Sequence, residues 1–196
     1  KNGIQQNHFN DAKRMELLDV IFANRYIDAW KTYTNKQKCT NSWCASFDAC
    51  QNQKLIVLQH LILGINTHIN LDLAIAAAEA CPGEKIHDLR EDFNRINDII
   101  SSLTNNIQER LSRVWFPLRF LEKIANNHED AVLNFSISAA RKASWANAVV
   151  MALSTKPERE MYINQIDNTV VKIAGRVINP GFTVSFILKP VLFMED

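Results

Sequence analysis

One apolar stretch, Leu55–Ala78, constrains the fold of this chain more than any other segment. It is too long for a single strand, and no lysine, arginine, aspartate or glutamate occurs between Lys54 and Asp72. A helix that is apolar on all sides is buried on all sides, so we expect this one at the centre of the protein. Histidine, glycine and aspartate nevertheless recur along it at steps of four, as His60, Gly64, His68 and Asp72. A buried polar group without a partner costs about 1–3 kcal/mol, so this helix is where a functional site is expected.

The composition indicates a single all-α domain. The chain has 196 residues with only five glycines and five prolines, and the alternation typical of strands is rare. A net charge of +1 offers no basic surface for nucleic acid. The histidines and asparagines of the apolar stretch would be unsatisfied in lipid, so we expect no membrane span.

The four cysteines are Cys39, Cys44, Cys50 and Cys81, and their spacing matches no zinc motif. We interpret them as reduced thiols, with a bridge within Cys39–Cys50 as the alternative. Few cysteines and the lack of a signal-like segment favour the cytoplasm. The chain does not begin with Met, so a trimmed leader stays open.

The pattern predicts a single-domain bundle of about six helices around the central helix 51–80, with the bundle spanning residues 1–180. The predicted helices are Asn10–Tyr33, Gln51–Ala80, Lys85–Asn106, Ile107–Asn126, His128–Leu153 and Pro157–Ile178. Asn35–Asn52 is predicted to be a connector with one turn at Trp43–Ala49. Residues 181–196 form an extended apolar tail that we expect to pack on the bundle or on a partner subunit, which would make a homodimer.

Projection of each helix at 100° per residue predicts an acidic group on several apolar faces. Asp19, Asp92 and Asp167 fall among apolar residues of the first, third and sixth helices, and the central helix supplies His68 and Asp72. A buried carboxylate must be paired, hydrogen-bonded or bound to a metal. Each aspartate could also simply pair with a nearby base.

The spacing within the central helix limits which side chains can share a ligand. His68 and Asp72 are about 6 Å apart along the axis, so they can grip one ion or hydrogen-bond each other. His60 lies about 12 Å from His68, which assigns it to a second layer or a second ion. Gly64 removes a side chain where a partner could approach closely.

Basic residues on two other helices are candidates for holding an anionic group. In the fifth predicted helix, Arg141 lies among small residues that would let its guanidinium reach inward. Arg25 and Asn24 of the first helix are weaker candidates.

The segment from Gln59 to Leu73, with the pattern H-x3-G-x3-H-x-N-x-D, resembles an uncharacterised bacterial all-helical family, a domain of unknown function. That resemblance implies a helical fold and no activity. The His-x3-Asp step at His68 and Asp72 is also similar to the zinc-dependent phospholipase C and nuclease group, which implies a metal-binding role for these two residues. The chain departs from that group in having only five histidines.

Two functions follow from these patterns. The first is a metal-dependent hydrolase of a small ester, phosphoester or amide, with Zn, Mn or Fe bound by acidic and imidazole groups. Its expected metal ligands are His68, Asp72, Asp19, Asp167 and His60, and its expected catalytic residues are Asp92 and Arg141. A carboxylate-bridged di-metal site is a variant, although the usual Glu-x2-His step is missing. The second is a non-enzymatic module whose buried polar network fixes helix register or binds a small molecule.

Overall fold

The computed structural model describes residues 8–96, 137–181, 189 and 192, and this part of the chain is all-α without a strand. The prediction of an all-α fold is confirmed. The helices are α1 (Ala12–Thr34), α2 (Asn41–Ala49), α3 (Val57–Thr67), α4 (Leu73–Ala80), α5 (Ile137–Leu153) and α6 (Lys156–Ile178). A π-helical segment, His68–Asp72, joins α3 to α4, and a 3-10 segment, Gly83–Leu89, leads into helical residues 90–96.

A continuous central rod, Val57–Ala80, is formed by α3, the π segment and α4. In its second half the stretch Leu71–Ala78 is buried without a break, because α4 packs against both α1 and α5. Alanines at 74 and 76–78 are at most 1% exposed, and small side chains let the backbone of α5 approach closely. The first half is different: Val57 and Leu61 are exposed, so the expectation of burial all round is wrong for α3.

The predicted ends of α1 and α6 are close to the observed ones. Asp11 caps α1 through its side chain, which accepts a hydrogen bond from the backbone N–H of Arg14. Thr155 and Glu158 form a capping box at the start of α6, and hydrogen bonds from Thr155 lower the pKa of Glu158. Local capping chemistry therefore sets where both helices begin.

The buried apolar face of α1 is narrower than the sequence predicts. Met15 and Leu18 are buried, but Tyr26 and Trp30, which share their helix face by spacing, are 42% and 48% exposed. The rings of α1 instead form an aromatic surface with α2, where Trp43 stacks on Phe47 at 5.0 Å between ring centroids. One edge of that surface is solvated.

The predicted connector contains a complete helix. Asn41–Ala49 forms α2, which packs against α3 and α6. Cys39 and Cys44 are joined by a disulfide that ties the segment before α2 to its first turn, so the interpretation of these two residues as reduced thiols is wrong. Cys50 and Cys81 are free thiols, and burial raises the pKa of Cys81.

The rod Val57–Ala80 is also long and apolar enough to cross a membrane by length and composition, the one such helix among the described residues. Two thirds of its most apolar window (67%) is buried inside the protein, as in the core helix of a water-soluble domain. The predicted helix Ile107–Asn126, the end of Lys85–Asn106 and the start of His128–Leu153 lie outside the described residues, as does most of the tail. Leu192 of the tail packs against the cluster formed by α3 and α6.

Candidate functional site

The carboxylate of Asp72 is the centre of a buried polar network. Asp72 is 1% exposed and accepts three hydrogen bonds from three parts of the fold. Arg25 Nε of α1 donates to Oδ1 at 2.9 Å, Trp43 Nε1 of α2 donates to Oδ2 at 2.8 Å, and His68 Nδ1 lies 3.1 Å from Oδ2. The ion pair with Arg25 balances the charge of the carboxylate, which is what its burial requires.

The imidazole of His68 is held in one orientation. Its ring stacks on Phe22 of α1, with 3.7 Å between ring centroids and an interplanar angle of 11°, and Tyr26 and Trp43 flank it at 6.0 Å. With Nδ1 directed at Asp72, Nε2 is the remaining polar atom of the ring, and His68 is 27% exposed. The described residues provide no partner for Nε2, which is therefore open to solvent.

The rod departs from α-helical geometry at these two residues. The backbone N–H of Leu73 donates to the carbonyl of His68, five residues earlier, where an α-helix would use a partner four residues earlier. Such widened turns occur frequently at functional sites. His68 and Asp72 are the first and last residues of this π segment. The contact between the two side chains was predicted correctly, but the regular α-helix through them was not.

Asp92 is buried, as predicted, and holds the start of α1. It is 0% exposed, and its two oxygens accept the backbone N–H groups of Asn10 and Asp11 at 2.7 and 3.1 Å. Arg14 and Arg95 add ion pairs at 3.1 and 3.3 Å. Burial raises the pKa of Asp92, but the hydrogen bonds from Asn10, Asp11 and Arg14 outweigh it, so the pKa is lowered. Asp92 therefore acts as an anchor for a helix N-terminus.

Asp167 does the same for α2. It is 4% exposed, and its oxygens accept the backbone N–H groups of Asn41 and Ser42, both at 2.9 Å. Thr40, the residue at the N-cap position of α2, makes no capping hydrogen bond with its side chain. A carboxylate from α6 thus replaces the missing local cap, at the end of the helix where a negative charge is favoured.

Two structural predictions about single residues, Asp19 and Gly64, are wrong. Asp19 is exposed and does not project into the apolar face of α1. His60 is partly buried, with Nδ1 lacking a hydrogen-bond partner within the described ranges, and its expected place in a second layer or at a second ion stays a prediction. A Cβ built on Gly64 would meet no atom of residues 8–96 or 137–181 within 4 Å, so no described neighbour approaches the rod closely there.

Arg141 points inward, as predicted, but toward a backbone group of a neighbouring segment. It is 4% exposed, its Nη2 donates to the carbonyl of Phe93 at 3.0 Å, and its guanidinium lies 4.5 Å from the centre of the Phe93 ring. Burial lowers the pKa of Arg141 to about 10, so the side chain is protonated at neutral pH. Its expected role in holding a substrate anion stays a prediction.

The predicted common pocket for the acidic and imidazole groups is not formed. Among residues 8–96 and 137–181, which include every predicted ligand, no three His, Cys, Asp or Glu side chains lie close enough to hold a metal ion. Asp92 and Asp72 contact α1 at Arg14 and Arg25, about 16 Å apart along that helix. Asp72, Asp92 and Asp167 each belong to a separate network.

The network around Asp72 contains two residues that the sequence reasoning undervalued. Arg25 lies three residues after Phe22 and seven after Leu18, so it shares their helix face, and that spacing was the available signal. Trp43 lies in the supposed connector, where no periodicity pointed to it. Both residues meet Asp72 only through the packing of α1 and α2 against the rod.

The fold and the network define an all-α domain in which buried carboxylates join separate helices. The sequence profile of a family of unknown function, DUF5995, matches residues 1–180, and the chain belongs to this family. No curated protein and no solved structure matches the chain. The expected likeness to zinc-dependent phospholipases and nucleases is not supported, and neither is the expected bacterial origin.

Proposed function

We propose that this chain is a non-enzymatic helical module whose buried carboxylates fix the register of its helices and which presents one small-molecule site at His68. One observation carries the proposal. Asp72, Asp92 and Asp167 each have both oxygens occupied by donors from a different element of the fold.

Such networks select one arrangement of helices, because a shifted helix would leave a buried carboxylate unpaired. Breaking one partner of a buried ion pair costs about 3–5 kcal/mol. The Asp72 network joins α1, α2 and the rod at one point, so a slip of any of the three would carry this penalty. The network thus has a complete structural purpose without any turnover.

The test replaces the central carboxylate by its neutral isostere. We expect Asp72→Asn to lower the free energy of unfolding by about 3 kcal/mol, measured by urea denaturation, because Arg25 loses its counter-charge. Hydrogen exchange should quicken in α1 and α2 together. Asp19→Asn is the matched control, since it makes the same chemical change at an exposed site and should stay within about 0.5 kcal/mol of the wild type.

Equal stability of the two variants would contradict the register role. Destabilisation without faster exchange in α2 would also contradict it, because Trp43 ties that helix to the same carboxylate. The exchange measurement therefore separates a link between three helices from a local defect in the rod.

A metal-dependent hydrolase is the second candidate, favoured by the open Nε2 of His68. A carboxylate on Nδ1 orients many metal-binding histidines and raises their basicity. In that arrangement Asp72 would orient His68 and would not bind the metal itself, because its own oxygens already accept hydrogen bonds from Arg25 and Trp43. Zn, Mn or Fe would need further ligands, for which the described residues offer no group of three.

Metal analysis of protein purified without a His-tag distinguishes the two candidates. The module predicts no stoichiometric metal and the same unfolding curve with and without a chelator. Stoichiometric metal that is lost in His68→Ala, together with a chelator-sensitive stability, would establish the hydrolase candidate instead.

The disulfide bears on where the module works. Disulfides persist in oxidising compartments and are rare in the cytosol, so Cys39–Cys44 weighs against the cytoplasmic location that the sequence favoured. We propose an oxidising compartment. Alkylation of cells lysed directly into denaturant, which makes the buried Cys81 accessible, followed by mass analysis tests this: labelling of Cys50 and Cys81 alone would support it, and labelling of Cys39 and Cys44 would refute it.

A further inference from the structure

We propose that Arg25 and His68 form a site for a small organic acid, with its oxyanion on these two side chains and its apolar body against the ring of Tyr26. This inference rests on the proposed module, because the Asp72 network is the frame of the site. It adds what the site binds.

The side chains of Arg25 and His68 are both positioned by Asp72. Arg25 Nε lies 2.9 Å from one oxygen of the Asp72 carboxylate and His68 Nδ1 lies 3.1 Å from the other, so both donors are held at the same group. They come from different elements, α1 and the π segment, and the Asp72 carboxylate fixes both. A pair of side chains already held in place loses little entropy on binding a ligand.

The second step is the set of unused donor atoms. Arg25 uses Nε for Asp72, and both Nη atoms have no partner in the described part of the chain. The same holds for Nε2 of His68. The side chains of Arg25 and His68 are 25% and 27% exposed. Neither the Nη atoms of Arg25 nor Nε2 of His68 is fully buried, so these donor atoms contact solvent.

The third step is the chemical class that fits these atoms. The outer edge of a guanidinium presents two parallel N–H donors that match a carboxylate or a phosphate. A metal cation is disfavoured next to the positive charge of Arg25. An oxyanion that accepts from Nη and from Nε2 would instead complete the hydrogen bonding of both side chains.

The fourth step is the apolar wall. Tyr26 is the residue after Arg25 and is 42% exposed, with its ring 6.0 Å from that of His68 and 5.2 Å from that of Trp43. Phe22 is partly buried under the imidazole. Rings next to charged donors bind acids that carry a flat apolar group, so an aryl acid is a suitable probe.

The experiment titrates the protein with benzoate, phenyl phosphate and neutral benzamide. The indole N–H of Trp43 reports on the site in a proton–nitrogen NMR spectrum, because it is bonded to Asp72, and Trp43→Phe identifies its signal. We expect saturable shifts with benzoate or phenyl phosphate, with a dissociation constant on the order of 1 mM for ligands of this size. Benzamide should bind at least about tenfold more weakly, because it lacks the charge.

Two variants and one matched control complete the test. Arg25→Lys keeps the charge but loses the planar donor pair, and Tyr26→Ala removes the wall. Each should weaken benzoate binding by about tenfold or more. Arg14→Lys makes the same change in another arginine that pairs with a buried aspartate, and it should leave binding unchanged.

The outcomes separate this inference from the module itself. Absence of a saturable shift, equal binding of benzamide, or an unchanged affinity in Arg25→Lys would overturn the acid site, even if Asp72→Asn is destabilised as expected. A stable Asp72→Asn variant would overturn the module. Preference for phenyl phosphate or for benzoate identifies which oxyanion the site takes.

Discussion

The carboxylate of Asp167 replaces a local cap of α2, and removing it should have a measurable and localised effect. In Asp167→Ala the backbone N–H groups of Asn41 and Ser42 lose their acceptors. Ser42 is 0% exposed, so its N–H group has no access to water and costs about 1–3 kcal/mol. The exposed N–H of Asn41 can bind water, which leaves a net loss of about 1 kcal/mol for that bond.

Two further contributions change the free energy of unfolding of Asp167→Ala. The charge of Asp167 at the N-terminus of α2 contributes about 0.3–1 kcal/mol, and alanine gains about 0.5 kcal/mol over aspartate inside α6. The sum is a loss of about 3 kcal/mol in the free energy of unfolding. For a domain of this size that corresponds to a fall in Tm of about 6–12 °C. Asp167→Asn, which keeps one acceptor, should lose about half as much stability.

The assay combines urea denaturation with amide hydrogen exchange. The cap predicts that exchange quickens first at Ser42 and in the first turn of α2, while α5 keeps its protection. Asp19→Asn serves as the control for removing one carboxylate charge. If Asp167→Ala matches that control, or if all helices lose protection equally, a capping role for Asp167 is wrong.

Three further predictions concern other parts of the fold. Replacing both Cys39 and Cys44 by Ser should lower stability by about 2 kcal/mol, because the bridge closes a loop with a sequence separation of 5; urea curves with and without reductant on the wild type should show the same difference. The pKa of Asp92 is lower in the folded protein than the ordinary value of 3.8, so its contribution is complete above that pH and is lost as the pH falls through the folded pKa. Acid titration of the free energy of unfolding should therefore be flatter below that pH in Asp92→Asn than in the wild type, and parallel curves would contradict this. Gly64→Ala should raise stability by about 1 kcal/mol, because the added methyl group meets no neighbour in the part of the chain that the structure describes and alanine favours a helix; a loss would show that the space beside Gly64 is filled.

The sequence was sufficient for those parts of the fold that depend on local chemistry. The predicted ranges Asn10–Tyr33 and Pro157–Ile178 agree with α1 and α6 within about two residues, which is the usual uncertainty of helix ends. The apolar stretch correctly predicted a central helix. These features depend on neighbouring residues along the chain, so they can be recognised without knowing the packing.

The parts that failed depend on distant residues. The carboxylate that caps α2 belongs to α6, so the residues around Thr40 do not show how that helix is capped. Asp19 was wrongly assigned to a buried face. The width of the apolar stripe on α1 depends on how many neighbours pack against that helix, and the sequence of α1 alone does not show this number. The inward direction of Asp92 and Asp167 was correct, but their partners are backbone N–H groups, which every residue except proline carries and which leave no trace in a sequence.

The π segment has a consequence for how the central rod tolerates change in length. It adds one residue to a turn, and one residue of an α-helix corresponds to a rotation of 100°. Because the widened turn has already absorbed the additional residue, deleting one residue from Ile69–Leu71 would restore a regular helix and leave the alanine side of α4 facing α5. A deletion elsewhere in the rod would instead turn that side away, so loss of one residue should be tolerated in this turn far better than at any other point of the rod.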